Sequence, residues 1–415
     1  MRLVLFGDGE SPHLLKWARA LAPRVELWAA SSRGFLPGFD GVVPEARRLS
    51  LGTTPQFEGG NFGLLKLLPR LTEWLERVKA DWIHAHYLTS HGTLAWLATR
   101  WLGAPGKLVG SAWGSDILVT PARGGLLRWV TSQVLKACEL TTSDSEHMAW
   151  HMRALGATDV MTFPFGLEAL PELPPSDRKL GHVFFANRGL EAVYAPQRVL
   201  QVFAAIAVEW PGSELVVANT GSLRPELERL ADKAKLRERI KFVGRLDAAQ
   251  QAAQYARARW YLSLPTSDSV AVSVLEAMAH GCIPILSDLP ANHELVRHGE
   301  NGLILPRGAL PKLEDLQPLL KAKDAIAQAN HDWVAQNAMF GPWVDRFLGR
   351  LQEIEASPGG RRSVVPAMAD PPSVDLAAIA EAQRLDAEAK AMEAAAAALA
   401  ADQASPAAIK LGPRK

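Results

Sequence analysis

The sequence predicts an α/β protein of two doubly wound halves, joined by a linker and followed by a helical tail. Three observations predict it. The chain has 415 residues, more than one core normally needs. Short, unbroken apolar runs alternate with longer helical patterns, which implies parallel strands covered on both faces. The alternation stops once, at a proline-rich charged stretch, and then restarts.

In order, RLVLF (2–6) reads as a strand and SPHLLKWARAL (11–21) as a capped helix. VELWAA (25–30) and WIHAHY (82–87) are strands, with the amphipathic GLLKLLPRLTEWLERVKA (63–80) between them. HGTLAWLATRWL (91–102) is a helix, and KLVGSAW (107–113) and ELTTSD (139–144) are strands. TFPFGLEALPELPPSDRK (162–179) reads as the linker. Strands resume at HVFFAN (182–187), ELVVAN (214–219), IKFVG (240–244), WYLSLP (260–265) and CIPILSD (282–288). These runs set one domain over 1–165 and another over 180–330. Residues 331–356 carry Trp333, Phe340, Trp343 and Phe347 on a helical pattern broken at Gly341-Pro342, able to pack on either domain. From 357 to 415 the chain turns Pro/Gly-rich and then alanine-rich, which reads as a fluctuating, solvated helix without a core-facing stripe.

Composition narrows the functions. With 45 basic and 44 acidic residues there is no global field for nucleic acid. Only two cysteines occur, Cys138 and Cys282, so a disulfide framework or cysteine zinc site is excluded and a reducing cytoplasm fits best. The N-terminus lacks the pattern of a secretory signal, and no apolar run reaches a membrane span. No His/Asp/Glu spacing suits a metal, and G-x-G-x-x-G, the P-loop and the G-x-S-x-G elbow are all absent.

The informative stretch is SDSVAVSVLEAMAHGCIPILSD (267–288). If VSVLEAMAH is a helix stopped by Gly281, the amides of Ser269, Val270, Ala271, Val272 and Ser273 lie exposed at its start, a ready anion site. Carboxylates at Asp268 and Glu276 flank it, and carboxylates suit vicinal hydroxyls. Diphosphate amides beside hydroxyl-binding acids describe a nucleotide-sugar pocket. On the plainer reading Asp268 only caps the helix and Glu276 is a surface residue.

SDSVAVSVLEAMAHGCIPILSDLPANHELVRHGENGLIL resembles the signature of the retaining glycosyltransferases of family 4 (glycosyl transferases group 1): an acid, seven residues, a glutamate, then AMA.G.P and E.V..G.NG.L. The first acid of that family is usually Glu; here it is Asp268. FFANRGLEAVYAPQRVLQVFAAI (184–206) resembles the family's first strand-loop-helix of the donor domain and puts Arg188 where members hold an arginine against the donor diphosphate. The lysine that usually follows is missing from LEAVY. The plainer reading of Arg188 is a surface ion pair. IKFVGRL, with Gly244, resembles a segment whose backbone contacts the base. WIHAHYLTSHGTLAWLA resembles the acceptor-domain strand ending in histidines, and GSAWGSDIL the strand-loop that commonly reads T.HG.D. Trp113 stands where many members carry a histidine, which puts histidine-assisted chemistry at that position in doubt.

The resemblance implies the GT-B fold, two Rossmann-like domains facing across a cleft. It implies a hexosyltransferase-type enzyme that moves a sugar from a nucleotide-sugar donor to a hydroxyl acceptor with retention; the lack of metal-ligand spacing, and of a D-x-D at a strand end, predicts transfer without a metal, and no other cofactor is expected. Its expected setting is synthesis of glycans, surface polysaccharide or glycoconjugates, with a glycan, lipid-linked or protein acceptor. Arg188, Asp268 and His86 are the catalytic candidates. Ser269 to Ser273, Glu276, Arg188 and Gly244 are donor-binding candidates; His91, Trp113 and Asp116 lie on the acceptor side. For the histidines a structural role is the plainer reading. A nucleotide-sugar epimerase of the same fold and a non-catalytic nucleotide-sugar-binding protein are the alternatives. Trp96, Trp101 and Trp129, near Arg100, Lys107 and Arg128, are helix-packing residues on one reading and a peripheral membrane contact on the sharper one.

Overall fold

The computed structural model describes residues 1–53, 61–357, 369–381 and 383–384. In the N-terminal domain, β1 (Arg2–Gly7), β2 (Glu26–Ser31), β3 (Arg48–Ser50), β4 (Trp82–His86), β5 (Lys107–Ser111), β6 (Cys138–Ser143) and β7 (Val160–Thr162) form one parallel sheet, ordered β3-β2-β1-β4-β5-β6-β7. Its helices are α1 (Pro12–Leu21), α2 (Leu68–Val78), α3 (Thr93–Arg100), α4 (Ser115–Leu118), α5 (Gly125–Ala137) and α6 (Glu146–Ala154). The C-terminal domain repeats the plan with β8 (Leu180–Ala186), β9 (Glu214–Ala218), β10 (Ile240–Gly244), β11 (Ala258–Ser263), β12 (Ile283–Ser287) and β13 (Leu303–Leu305), ordered β10-β9-β8-β11-β12-β13. Its helices are α7 (Pro196–Glu209), α8 (Arg224–Lys233), α9 (Ala248–Arg257), α10 (Val272–Ala279), α11 (Pro290–His293), α12 (Leu313–Lys321) and α13 (Lys323–Asn337), and a last helix, α14 (Phe340–Ala356), follows the domain. This is the two-domain α/β GT-B architecture.

The apolar strands are unbroken because both faces are covered. Along β1, Leu3 and Leu5 pack with α1 and α14 on one side, while Val4 and Phe6 pack with α2 and α3 on the other. Helix α1 starts where Ser11 accepts from the His13 amide at 3.3 Å and Pro12 occupies the first turn.

Among the described residues two chain crossings join the domains, and they touch. Leu167 N donates to Ala338 O and Phe340 N to Leu167 O, both at 2.8 Å. A Cβ on Gly166 would meet Ala338 O at 1.8 Å, so the crossing needs a glycine there. The helical break falls at Ala338–Met339, not at Gly341-Pro342 as the sequence suggested. Pro342 sits in the first turn of α14, where its missing N–H costs no helical bond. Helix α14 returns to the N-terminal domain: Phe340, Trp343, Val344, Phe347 and Leu351 bury against Leu3, Leu5, Trp17 and Trp82.

The tail departs from the solvated helix expected of it. Val374 is 6% exposed within the C-terminal core, with Leu376 and Ile379 packed beside it. Trp333 Nε1 donates to Asp370 O at 2.8 Å, and Arg297 Nε to Pro371 O at 2.9 Å. Three apolar side chains spaced along 374–379 are enough to dock the segment, although the composition around them is polar and alanine-rich. The rest of the alanine-rich stretch lies outside the described residues.

Candidate active site

Each sheet reverses strand order once, between β1 and β4 and between β8 and β11. Ligands of such sheets bind beyond the carboxyl ends of the strands at that reversal. At those ends stand His13 in the first turn of α1 after β1, His86 as the last residue of β4, and Arg188 and Asp268 on the loops after β8 and β11.

On the C-terminal side, Arg188 Nη2 donates to Asp268 Oδ2 at 2.6 Å and Nη1 to Ser273 Oγ at 3.3 Å. The Tyr194 ring lies 4.5 Å from its guanidinium carbon, a cation–π contact. Asp268 Oδ1 also accepts from Ser269 N at 3.0 Å. Burial pushes the Asp268 carboxyl up, with Arg188 opposing. Asp268 is therefore no helix cap: Ala271 is the cap residue of α10, without a side-chain hydrogen bond. The pair is also no surface ion pair, since its side chains are only 18% and 21% exposed. Ser269, Val270 and Ala271 are buried: Ser269 bonds Asp144 and Ser145 of the N-terminal domain, while Val270 and Ala271 pack into the C-terminal core. Val272 and Ser273 are half-buried at the start of α10.

Glu276 faces inward from α10. Its Oε2 accepts from Tyr255 Oη at 2.9 Å and from Gln251 Nε2 at 3.4 Å, and burial raises its pKa. Tyr255 in turn accepts from Asn187 Nδ2 at 2.8 Å, and Asn187 Oδ1 accepts from Tyr261 at 2.6 Å. This buried network fixes the residue just before Arg188. Gly244 ends β10 at φ +74°, a left-handed conformation that favours glycine, and its carbonyl accepts from Asn219 N at 2.6 Å.

On the N-terminal side, Trp113 Nε1 donates to His86 Nδ1 at 3.2 Å, and His86 Nε2 is buried without a hydrogen-bond partner. Burial, reinforced by His84, His91 and His13, holds the His86 pKa well below the ordinary range, so the ring is neutral. Asp116 is fully buried; it accepts from Trp113 N at 2.9 Å and Leu88 N at 2.8 Å, tying the loops after β4 and β5 together. Burial pushes its carboxyl up to about 6, against those backbone bonds. His91 is engaged at both ring nitrogens, by Ser32 Oγ at 2.9 Å and Ser90 Oγ at 3.2 Å, a wall-supporting geometry.

Several site-facing groups escaped the sequence reading. His13 packs against Trp113 with the rings tilted by 42° and their centroids 4.9 Å apart, and burial, then Lys16 and Arg188, lowers its pKa to about 4. Lys16 Nζ donates to the carbonyls of Phe165 and, at 2.7 Å, Gly166; burial lowers its pKa to about 8 while Glu168 and Glu276 raise it. The only sequence signal was their spacing, one helical turn apart at the start of a helix. Across the cleft, Ser269 Oγ bonds Asp144, and Ser145 Oγ lies 2.7 Å from Ser269 Oγ. Glu294 accepts from the amides of Glu146 and His147 at 2.9 Å each, satisfying the start of α6. Among the described residues no group of three His, Cys, Asp or Glu is gathered as a metal ion would require.

Comparison with known proteins agrees with this fold. The family described as Glycosyl transferases group 1 matches residues 176–323, and the Glycosyl transferase 4-like domain matches residues 8–166. The N-acetyl-alpha-D-glucosaminyl L-malate synthase of Bacillus anthracis is 24% identical over 294 residues, 66% of this chain and 74% of the relative. The phosphatidyl-myo-inositol mannosyltransferase of Mycobacterium leprae is 25% identical over 338 residues, 77% of this chain and 85% of the relative. Among solved structures, Anabaena Alr3699/HepE in complex with UDP superposes with a TM-score of 0.66 at 15% identity, over 84% of this chain and 100% of that one. Sucrose-phosphate synthase from Thermosynechococcus elongatus gives 0.69 at 15% identity, over 86% and 100%.

Proposed function

Since the chain belongs to the group 1 glycosyl transferases, enzymes that transfer sugars, we propose that it moves a sugar from a nucleoside-diphosphate donor to an acceptor hydroxyl with retention at the anomeric carbon and without a metal. The observation that carries this reading is the Arg188–Asp268–Ser273 constellation at the start of α10, beyond the ends of β8 and β11.

Arg188 and the first amides of α10 take the charge that grows on the departing diphosphate. Asp268 holds Arg188 in place before the donor arrives and accepts from the sugar hydroxyls once it is bound. Glu276 accepts from the ribose, and the backbone near Gly244 faces the base. The domains proposed are those read from the sequence, 1–165 for the acceptor and 180–330 for the donor. In the acceptor half, neutral His86, whose Nδ1 accepts from Trp113, offers its Nε2–H as a hydrogen-bond donor at the sugar, with Trp113, Asp116 and His91 forming the wall around it. In the reaction the bond from C1 to the phosphate oxygen breaks and a bond from the acceptor oxygen to C1 forms. With retention both lie on one face, so the acceptor proton passes to the departing phosphate oxygen. Relatives support a sugar-transfer role in glycoconjugate synthesis: one name specifies malate as acceptor and another phosphatidyl-myo-inositol. A superposable structure was solved with UDP, which supports a nucleotide-sugar donor. Two buried free cysteines fit a reducing, cytoplasmic setting.

The test is a thermal-shift panel of nucleotide sugars on wild type and Arg188→Ala. Binding raises apparent stability by mass action. One nucleotide sugar should raise the wild-type melting temperature well above the effect of the free sugar. Flat curves for the whole panel would refute the donor site.

A further inference from the structure

A second surface, away from the cleft, has its own chemistry. Between Trp82 and Cys138 the chain holds five basic residues (Arg100, Lys107, Arg123, Arg128, Lys136) and one acid, Asp116, which is fully buried. The outer face of this segment therefore presents positive charge alone.

Large apolar side chains sit within it. Trp101 is 69% exposed, Leu126 64%, Trp129 52% and Leu102 45%. They gather because of how α3 and α5 cross. A Cβ on Gly92 would meet Val134 at 3.1 Å, while Trp96 and Trp129 meet with ring centroids 6.3 Å apart. Moving up α3 thus means moving down α5, which brings Arg100, Trp101 and Leu102 toward the end of α5 that carries Leu126. Beside Trp129 opens a groove of about 490 Å³ between α5 and the chain after α6, lined by Arg128, Ser132, Gln133 and Lys136. Its Gly156, at φ +109°, has no Cβ; one would meet Lys136 Cε at 2.7 Å, so the glycine lets the lysine lie along the groove.

Exposed tryptophan and leucine beside arginine and lysine match the two layers of a membrane interface, with rings at the headgroup level and cations at lipid phosphates. No helix among the described residues is long and apolar enough to cross a membrane, so the contact would be lateral. A second copy of this chain is disfavoured as occupant, since a two-fold contact would set these like charges against each other. We propose that the face formed by Trp101, Leu102, Leu126 and Trp129, with Arg100, Arg128 and Lys136, docks on an anionic phospholipid bilayer. The docking is independent of the donor chemistry proposed above.

The test is cosedimentation of the full chain with phosphatidylcholine vesicles, with and without phosphatidylglycerol. Wild type should bind the phosphatidylglycerol vesicles alone, less as salt rises. The Leu126→Glu/Trp129→Glu pair should lose at least roughly tenfold in vesicle affinity, and Arg128→Glu and Lys136→Glu roughly fivefold each or more. Val208→Glu, at a still more exposed site on α7, should change nothing. Nucleotide-sugar thermal shifts should persist in every variant, which checks folding and keeps this test separate from the donor site. Equal binding to both vesicle types, or full binding by the Leu126/Trp129 variant, would overturn the proposal. So would a vesicle-free wild-type dimer that the same variant makes monomeric.

Discussion

Arg188 and Asp268 form a poorly solvated pair, and such a pair is costly to break, because removing one partner strands the other's charge. That makes Arg188 a demanding position to mutate and an informative one. The lysine expected after it is missing, and the Tyr194 ring under the guanidinium fixes its plane but adds no charge. Arg188→Ala should therefore lower kcat roughly a hundredfold or more while weakening donor Kd far less, since phosphate charge grows only as the bond breaks. Arg188→Lys should restore part of the rate, keeping the charge but losing the fork. Kinetics of both variants with one acceptor would check this, and a wild-type rate in a folded Arg188→Ala would put the leaving-group cation elsewhere. Glu276→Ala should instead raise donor KM roughly tenfold or more, the value of charged hydrogen bonds to ribose. At this scale Arg188, Asp268 and Glu276 were legible because motif spacing carries them. The Asp268–Arg188 bond, His13 and Lys16 were not, because their neighbours lie up to 80 and 150 positions away in the chain.

Elements with a strong period were legible and short or returning ones were not. Unbroken apolar runs announced β1, β4 and β8, whereas β3 is three residues of RLS at a sheet edge, too short to carry a pattern. Nothing in the order of residues said that α14 would cross back to bury Trp343 and Phe347 against the first domain. The tail gave its anchors only as Val374, Leu376 and Ile379 within a polar, alanine-rich background. Removing residues 369–415 exposes the surface those three cover, at about 2–3 kcal/mol by burial of their side chains. The melting temperature of the truncated chain should fall by roughly 4–10 °C. An unchanged melting curve would mean that the segment contributes nothing to the C-terminal core.

At the scale of the whole molecule the domains are held face to face by Ser269 on Asp144 and Ser145, and by Glu294 on the first amides of α6. Burial holds the Asp144 carboxyl well above its usual range, opposed by the Ser269 hydroxyl and reinforced by Asp268, Glu294 and Asp116. A raised carboxyl pKa means that the closed form binds a proton that the open form releases. Its contribution is full below the ordinary carboxylate range and is lost as pH rises through the raised value. Asp144→Asn should flatten this loss, with Glu294, raised in the same sense, keeping the remainder. Melting temperature against pH for the two proteins would show it, and parallel curves would remove Asp144 from the closure. Closure matters because it brings the α1 face, with His13 and Lys16, over Arg188 and Glu276, and so completes the proposed donor cleft. The most direct measurement of that transfer is NMR of the product's anomeric centre, made in EDTA with the donor found by the thermal-shift panel and an accepting hydroxyl compound. One nucleoside diphosphate should be released per glycoside formed, with the anomeric configuration of the donor; an inverted product, or turnover only after divalent metal is restored, would contradict metal-independent retaining transfer.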